Sequence, residues 1–481
     1  MKLKLALLTF IAFNQLAYAL PMDWSGSIGF DMNRILNMRK TDAPCVDYTN
    51  STPPTSNLSC EKDAIFHTYV VRLQPSIIIN DSATIKTEIS TGSFRGGIFG
   101  DNSESSHNED NQLNYFYNRS SGKSTIAFNQ VYAELYADVG LVRVGRFAKE
   151  FGLGVVQNKG DDIFDRSFSQ YDGLEAEFKI GSFTATPYWG KVSDVSGTPN
   201  GAHTVSELGI SALYNNINTN LKIGLLYAKR SAETKNEFYG EYDETTTPVL
   251  GHKSNATLTD LYIYKGWEKF NIALEIPMIT GEVENMYGIT GDADLKSSAY
   301  IFEGNWLASK KWTIGLHAGM VSGQSDDQSE FTGMSLHPNY QIAEILYRYN
   351  YQGFVDPEFD IFQSGISNSR YVKLFTRWEG DTWAWNMAVI MAMASETAKA
   401  GTDYYNHEVG KMVQNTATED QDDSLGTEFD VSFDYRWNPN VTITGYAGYL
   451  MTGDYFKYNG TPNENETKNV LASGLRFGLT F

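Results

Sequence analysis

Leu475-Arg476-Phe477-Gly478-Leu479-Thr480-Phe481 carries an apolar side chain at every second position, with small or polar residues between them, up to the last residue of the chain. Side chains alternate faces along a β-strand, so this spacing predicts a strand with Leu475, Phe477, Leu479 and Phe481 against lipid. Ala472, Gly474, Arg476 and Thr480 would then face a wet interior. The same period runs upstream. Phe429, Val431, Phe433, Tyr435 and Trp437 oppose Glu428, Asp430, Ser432, Asp434 and Arg436, and Tyr69, Val71 and Leu73 oppose Thr68, Arg72 and Gln74. Ile85 and Ile89 oppose Lys86 and Glu88, and Leu174, Ala176 and Phe178 oppose Glu175 and Glu177. Each is the signature of a half-wetted strand.

Between these runs the connections are by turns very short and very long. Turn-forming residues cluster at Asn80-Asp81-Ser82, Asp138-Val139-Gly140, Ile180-Gly181-Ser182, Asn216 to Asn220, Gly266 to Lys269, Ser309-Lys310-Lys311, Gly380-Asp381 and Asn438-Pro439-Asn440. Long polar stretches alternate with them, at Asp101 to Asp110, Lys235 to Ser254, Gln324 to Asn368 and Ser395 to Ser424. One trimmed rim and one shaggy rim predict an all-β, antiparallel up-and-down transmembrane barrel with short periplasmic turns and long extracellular loops. With both termini on the periplasmic side the turns imply about 18 strands, 16 being the next even number. Tryptophan placement is an independent sign: Trp267, Trp306, Trp312, Trp378, Trp383 and Trp437 sit beside the short turns, and Trp24 opens the first strand. That is where a membrane-interface girdle belongs.

The amino terminus predicts export. Lys2 and Lys4 precede an apolar run from Leu5 to Phe13, and Ala17-Tyr18-Ala19 is an A-x-A cleavage site. Residues 1–19 therefore read as a signal peptide and 20–481 as the barrel. The apolar run is too short to span a bilayer as a helix, which needs roughly 20 residues. The chain has 481 residues, 29 Tyr, 27 Phe, 42 Gly and a mean hydropathy of -0.35, as expected when a lipid face is averaged with polar lumen and loops. Its formal charge is -20, and losing Lys2 and Lys4 leaves 36 basic against 58 acidic groups. That balance argues against nucleic acid as a partner. Cys45 and Cys60 lie close together in a polar segment, and in an exported protein a disulfide between them is expected to contribute about 3 kcal/mol on the chain-entropy model.

A barrel of this size is too wide to be filled by its own wall residues, so it leaves an aqueous channel unless something plugs it. The register assigns Arg72, Lys86, Arg143, Lys373, Arg377, Arg436 and Arg476 to the lumen, with Glu88, Glu134, Glu175, Glu177, Asp260, Glu275, Glu303, Glu428, Asp430 and Asp434. Such a mixture either orients a permeating solute in a transverse field or neutralises itself along a solvated wall, and the second reading is the default. Within the longest connection Ile342, Ile345, Leu346 and Tyr349 recur at helical spacing. This apolar stripe either folds into the mouth as a constriction or packs among external loops. Acidic clusters at Asp161-Asp162 with Asp165, Asp326-Asp327, and Glu419-Asp420 with Asp422-Asp423 read as solvated loop charge. Hard oxygen ligands suit Ca²⁺, but no EF-hand pattern accompanies them. No zincin, serine-hydrolase or phosphate-loop motif occurs and the seven His are scattered, so neither an enzyme, a metal nor a cofactor is expected.

A resemblance adds to this. Leu425-Gly426-Thr427-Glu428-Phe429, Tyr435-Arg436-Trp437-Asn438-Pro439-Asn440-Val441 and the run from Tyr449 to Gly453-Asp454-Tyr455 resemble the ending of the alginate-export-like porins. The resemblance covers the last eighth of the chain and implies an 18-stranded barrel. The exporter's lumen is strongly basic whereas this one is mixed, so alginate is not carried over. In general layout the chain also resembles porin-like outer-membrane proteins of Bdellovibrio-type predatory bacteria. The terminal strand, with Phe477, Leu479 and Phe481, resembles the signal read by the barrel assembly machinery. The expected function is passive diffusion of small hydrophilic solutes across the outer membrane, among its lipid and lipopolysaccharide. A sugar- or oligosaccharide-specific channel and an adhesive barrel with acidic loops are the alternatives, and monomer and homotrimer both remain open.

Overall fold

The computed structural model describes residues 21–42, 62–91, 97–98, 126–194, 204–232, 254–284, 292–327, 329–350, 361–362, 364–407 and 411–481. The signal segment, Cys45 and Cys60 lie outside the described residues. The chain forms a closed antiparallel barrel of 18 strands. In order they are β1 (Gly26–Leu36), β2 (Ala64–Leu73, continued by Ser76–Asn80), β3 (Ala83–Thr91), β4 (Ile126–Ala137), β5 (Gly140–Ala148) and β6 (Gln170–Ile180). Then come β7 (Phe183–Asp194), β8 (Thr204–Asn216), β9 (Leu221–Ala232), β10 (Ser254–Gly266), β11 (Phe270–Glu284) and β12 (Asp292–Leu307). The ring finishes with β13 (Trp312–Val321), β14 (Ser369–Glu379), β15 (Trp383–Met393), β16 (Ser424–Asn438), β17 (Val441–Thr452) and β18 (Val470–Thr480).

Closure is made by β1 on β18, with Ile28 opposite Leu479 and Phe30 opposite Phe477. The last residue takes part: the Gly26 and Phe481 backbones exchange hydrogen bonds of 3.0 and 3.1 Å. A Cβ on Gly26 would stand 2.6 Å from the Arg72 carbonyl oxygen and from the Phe481 ring, so the seam needs glycine there. A sheet with no free edge satisfies its backbone groups internally, the condition for crossing hydrocarbon with strands. Each of the short turns read from the sequence joins neighbouring strands, from Asn80/Ala83 to Asn438/Val441.

The two faces divide as the alternation predicts. On β16, Phe429 is 45% exposed on the outer wall while Glu428, its neighbour, is fully buried inside. Leu174, Leu374, Met387 and Leu475 are likewise exposed outside. Toward the short-turn rim a belt of aromatics forms: Phe270 pairs with Trp306, Trp312 with Trp378, Trp378 with Trp385 and Trp383 with Tyr435. No helix among the described residues is long and apolar enough to cross a membrane.

Candidate functional site within the barrel

Two connections from the long-loop rim turn inward and occupy the lumen. The first, 149–169, follows β5. Its carbonyls at Gly160, Asp161 and Asp162 accept from Arg72 on β2 at 2.8, 3.3 and 2.6 Å, while the Leu153 N–H donates to Glu275 on β11. Contacts with walls so far apart place this segment across the barrel. Gly152 and Gly154, at φ +62° and +77°, supply the left-handed backbone that turns it in from the end of β5. The second segment, described over 322–327, 329–350, 361–362 and 364–368, follows β13. Its Tyr340 hydroxyl donates to Glu303 on β12 at 2.9 Å and its Tyr349 hydroxyl to Asn33 on β1 at 3.3 Å. The two segments also join each other: the His337 N–H donates to the Val155 carbonyl at 2.8 Å, and Asn339 Nδ2 to the Ser167 carbonyl at 2.7 Å.

The second segment is anchored by one carboxylate. Glu428 accepts the backbone N–H groups of Glu344, Ile345 and Leu346 at 2.7–2.8 Å, and Asp430 accepts from Glu344 at 3.2 Å. Lys373 Nζ donates to the Ile342 carbonyl at 2.6 Å. Ile342, Ile345 and Leu346 are buried in one cluster with Ile301, Ile390, Leu450 and Val470, which point inward from the wall. Fully burying such a side chain contributes about 1.5–3 kcal/mol, so the stripe is a strong reason for this loop to fold in. The interior is thus not uniformly wet. The helical spacing does not become a helix either: 341–350 is a series of turns, with Tyr347 at φ +68°. The stripe is satisfied because the segment meets an apolar patch of wall in successive turns.

The remaining charges read from the sequence fall into two settings. On the β4–β9 side they are consumed at close range. Arg143 lies between Glu134 at 3.1 Å and Glu175 at 2.5 Å, Lys149 pairs with Glu175, and Arg230 reaches Glu207 at 2.6 Å. Tyr188 donates to Glu207 at 2.6 Å, and Gln157 bridges Tyr171 and Tyr188. Phe147, Phe151, Tyr171, Tyr188 and Leu226 close over this network as an apolar cluster. Glu88 accepts from Gln74, Asn129 and Gln130 at 2.9–3.2 Å. Asp260 and Glu275, on adjacent strands, are fully buried beneath the first segment. Lys86 and Glu177 are partly exposed on the inner face.

Near the short-turn rim, Arg377 meets Asp434 at 3.3 Å, Thr444 donates to Asp434 at 2.8 Å, and Arg436 donates to the Gly380 carbonyl at 2.9 Å and pairs with Glu379. Arg377, Arg436 and Asp434 therefore line one side of the short-turn mouth. On the β14–β18 side the fit is looser. A cavity of about 260 Å³ opens there between the two inner segments and the wall, lined by Asp31, Glu344, Arg348, Lys373, Asp430 and Arg476 among others. Arg476 approaches Asp31 at 3.5 Å and Glu344 at 3.6 Å, beyond hydrogen-bond length. Arg476 Nε and Nη2, Asp31 Oδ1 and Asp430 Oδ1 are buried without a hydrogen-bond partner.

Sequence reasoning missed the first inner segment, with Lys149 and Phe151, and also Arg230 on β9, Asp31 on β1 and Glu344 and Arg348 of the second segment. The available signal was the pair of glycines interrupting Phe151, Leu153 and Val155, whose period of two looks like more strand. Among the described residues no group of three or more His, Cys, Asp or Glu is placed to hold a metal ion. Asp162 and Asp165 instead cap their own turn, accepting from Phe164 N at 3.0 Å and Asp162 N at 2.9 Å. Asp420 accepts from Ala400 N at 2.9 Å.

No protein-family model matches the chain, and no curated protein matches it. Solved structures do. Pseudomonas aeruginosa OccK9 (OpdG) superposes over 95% of this chain and 98% of its own, with a TM-score of 0.50 at 11% identity. OccK2 (OpdF) of the same organism covers 96% and 97%, with a TM-score of 0.50 at 10% identity. The outer membrane protein opdK covers 95% and 99%, with a TM-score of 0.48 at 9% identity. At the level of fold, then, this chain is similar over nearly its whole length to the barrels of OccK9 and OccK2.

Proposed function

We propose that this protein is an outer-membrane diffusion channel that passes small hydrophilic solutes without an energy source. The supporting observation is the polar cavity held open inside a closed barrel, bounded by two inner segments that narrow the lumen without filling it. On this reading Ile342, Ile345, Leu346 and Tyr349 belong to the constriction. Their segment is fixed by Glu428, and the pore-lining groups are those around Arg476, Asp31, Asp430 and Lys373. The charged residues of the β4–β9 side hold the plug. Residues 1–19 would direct export, Phe477, Leu479 and Phe481 would serve barrel assembly, and Cys45 would pair with Cys60. No enzymatic activity is proposed. The carboxyl-terminal likeness to alginate-export-like porins gains no support from a family match, nor does the likeness to the predatory-bacterial proteins. A lumen of mixed sign does not suit a polyanion.

Planar-bilayer recording of the detergent-extracted protein tests this. Stepwise single-channel currents in KCl are expected, small for a barrel of this strand number because the lumen is partly occupied. A folded barrel that stays electrically silent would instead point to the adhesive reading.

A further inference from the structure

We infer that Asp260 and Glu275 hold a single proton between them, and that this proton seats the first inner segment on the wall. The inference concerns a site under the filled side of the lumen and does not rest on the channel reading. Asp260 on β10 and Glu275 on β11 point into the barrel from adjacent strands, within hydrogen-bonding reach of each other, and both are 0% exposed. Glu275 Oε2 is accounted for, because it accepts the Leu153 N–H of the first segment. Asp260 Oδ1 and Oδ2 and Glu275 Oε1 have no hydrogen-bond donor. Buried polar atoms find partners, and two carboxyls that face each other with acceptors alone lack the hydrogen that would join them.

The surroundings supply no other counter-charge. Asp260 lies opposite Leu226 on β9 and Glu275 opposite Ile301 on β12, and both of these are fully buried. The nearest titratable groups on the wall are Tyr262 on β10 and Glu303 on β12, neither of them a cation. Arg230 on β9 is held by Glu207, and in the first segment Lys149 is held by Glu175 and Lys159 by Glu150. Among the described residues no basic side chain pairs with Asp260 or Glu275. Two carboxylates in contact in such a medium repel strongly, and one proton removes the repulsion and makes the missing hydrogen bond together. A hard metal ion is a poorer occupant, since it takes about six or more oxygens and no third His, Cys, Asp or Glu joins the pair among the described residues. Glu428 and Asp430, the counterpart under the second segment, differ in having Lys373 and Arg348 beside them. With the proton in place Glu275 keeps one negative charge for the Leu153 N–H. Gly152, where a Cβ would collide with the Glu275 carboxyl, lets the segment lie directly on the pair.

The proton is read directly by infrared spectroscopy of the folded, detergent-extracted protein at neutral pH. A band of protonated carboxyl is expected in the unaltered protein and should be lost in the difference spectrum against Asp260→Asn. Glu275→Gln should remove the same band, so one variant that fails to fold, recognised by loss of heat-modifiable gel mobility, leaves the other to decide. Seating is read by stability. The folded barrel carries a proton that the unfolded chain, whose carboxyls titrate at about 4, has already lost, so stability falls as pH rises. The temperature at which heat-resistant mobility disappears should be lower by about 5 °C or more at pH 9 than at pH 6 in the unaltered protein. The fall should be clearly smaller in Asp260→Asn, whose amide donates to Glu275 without titrating. A neutral-pH spectrum without the band, or one in which both folded variants keep it, would overturn the inference. Equal pH slopes in the unaltered protein and Asp260→Asn would likewise overturn the seating role.

Discussion

The two sides of this lumen are made of the same residue types and end in opposite states. Around β4–β9, Arg143, Lys149 and Arg230 are gripped by Glu134, Glu175 and Glu207 and covered by Phe147, Phe151, Tyr171 and Tyr188. Around β14–β18, Arg476 stands off from Asp31 and Glu344 and a cavity remains. What differs is how the inner segment meets the wall. The first segment brings in aromatic bulk and its own lysine, so it fills its space and neutralises charge there. The second seats its apolar stripe on Ile301, Ile390, Leu450 and Val470, takes Glu428 and Lys373 into its backbone hydrogen bonds and Glu344 into a pair with its own Arg348, and leaves Arg476 and Asp31 beside a cavity. A list of lumen charges therefore says little about permeation until it is known which of them are already spent.

The largest effect is expected from removing the open side's boundary. Deleting 340–349 should raise single-channel conductance by a factor of about two or more, because a barrel of this width is otherwise unfilled. Unchanged conductance in a folded barrel would mean that the second segment does not set the bore. Next in size are the wall carboxylates that receive backbone N–H groups. Glu428→Ala removes the acceptor of the Glu344, Ile345 and Leu346 N–H groups, each of which costs about 1–3 kcal/mol if left buried and unpaired. The segment should loosen, giving larger and noisier currents, and Glu428→Gln should be milder. Glu275→Ala takes the partner of the Leu153 N–H on the filled side. It should lower the temperature at which the barrel loses its heat-resistant gel mobility while conductance stays near that of the unaltered protein. If Glu275→Ala opened the pore as far as Glu428→Ala, the two sides would not be distinct.

These contrasts also show what the sequence could and could not carry. The strand number was legible because each short turn is a local event, written in two or three residues such as Asn80-Asp81-Ser82 or Asn438-Pro439-Asn440. The facing of Glu428, Arg72 and Arg476 was legible for a similar reason, since alternation is a property of the strand alone. The inward course of 329–350 was half legible. The stripe at Ile342, Ile345 and Leu346 announces burial, but only the folded barrel shows that its cover is inward-facing Ile390 and Leu450 on strands far away in the chain. The segment 149–169 was not legible, because Phe151, Leu153 and Val155 keep the period of the strand before them and the departure lies in backbone angles at Gly152 and Gly154. Pairing distances, which separate the spent charges from the exposed ones, depend on both segments at once.

Charge removal should matter on one side only. Arg143→Met, in the filled network, is expected to leave the K⁺-to-Cl⁻ permeability ratio unchanged while costing stability through Glu134, which loses its cation; Glu175 keeps Lys149. Arg476→Gln should do the reverse. A shift in ion preference caused by Arg143→Met would mean that ions also pass through the β4–β9 side.

The smallest expected effect is on pH, and it acts where the second segment is rooted. His407 accepts the Gln324 N–H at Nε2, 2.9 Å, and lies 3.3 Å from Asn368 Nδ2, so one ring spans both ends of that segment. Burial pushes the imidazole down to about 4. A histidine with a lowered pKa binds its proton more readily once released, so the docked form is favoured fully above the ordinary value of about 6.5 and loses that advantage as pH falls toward 4. Acidification over this window should therefore loosen the roots of the segment and increase current noise, and should expose the nearby loops to added protease. His407→Gln offers a side-chain acceptor that does not titrate and should flatten the profile. If the variant and the unaltered protein changed alike between pH 7 and 4.5, the acid response would have to originate elsewhere in the lumen, and the second segment would be held by Glu428 and its apolar seat without help from its roots.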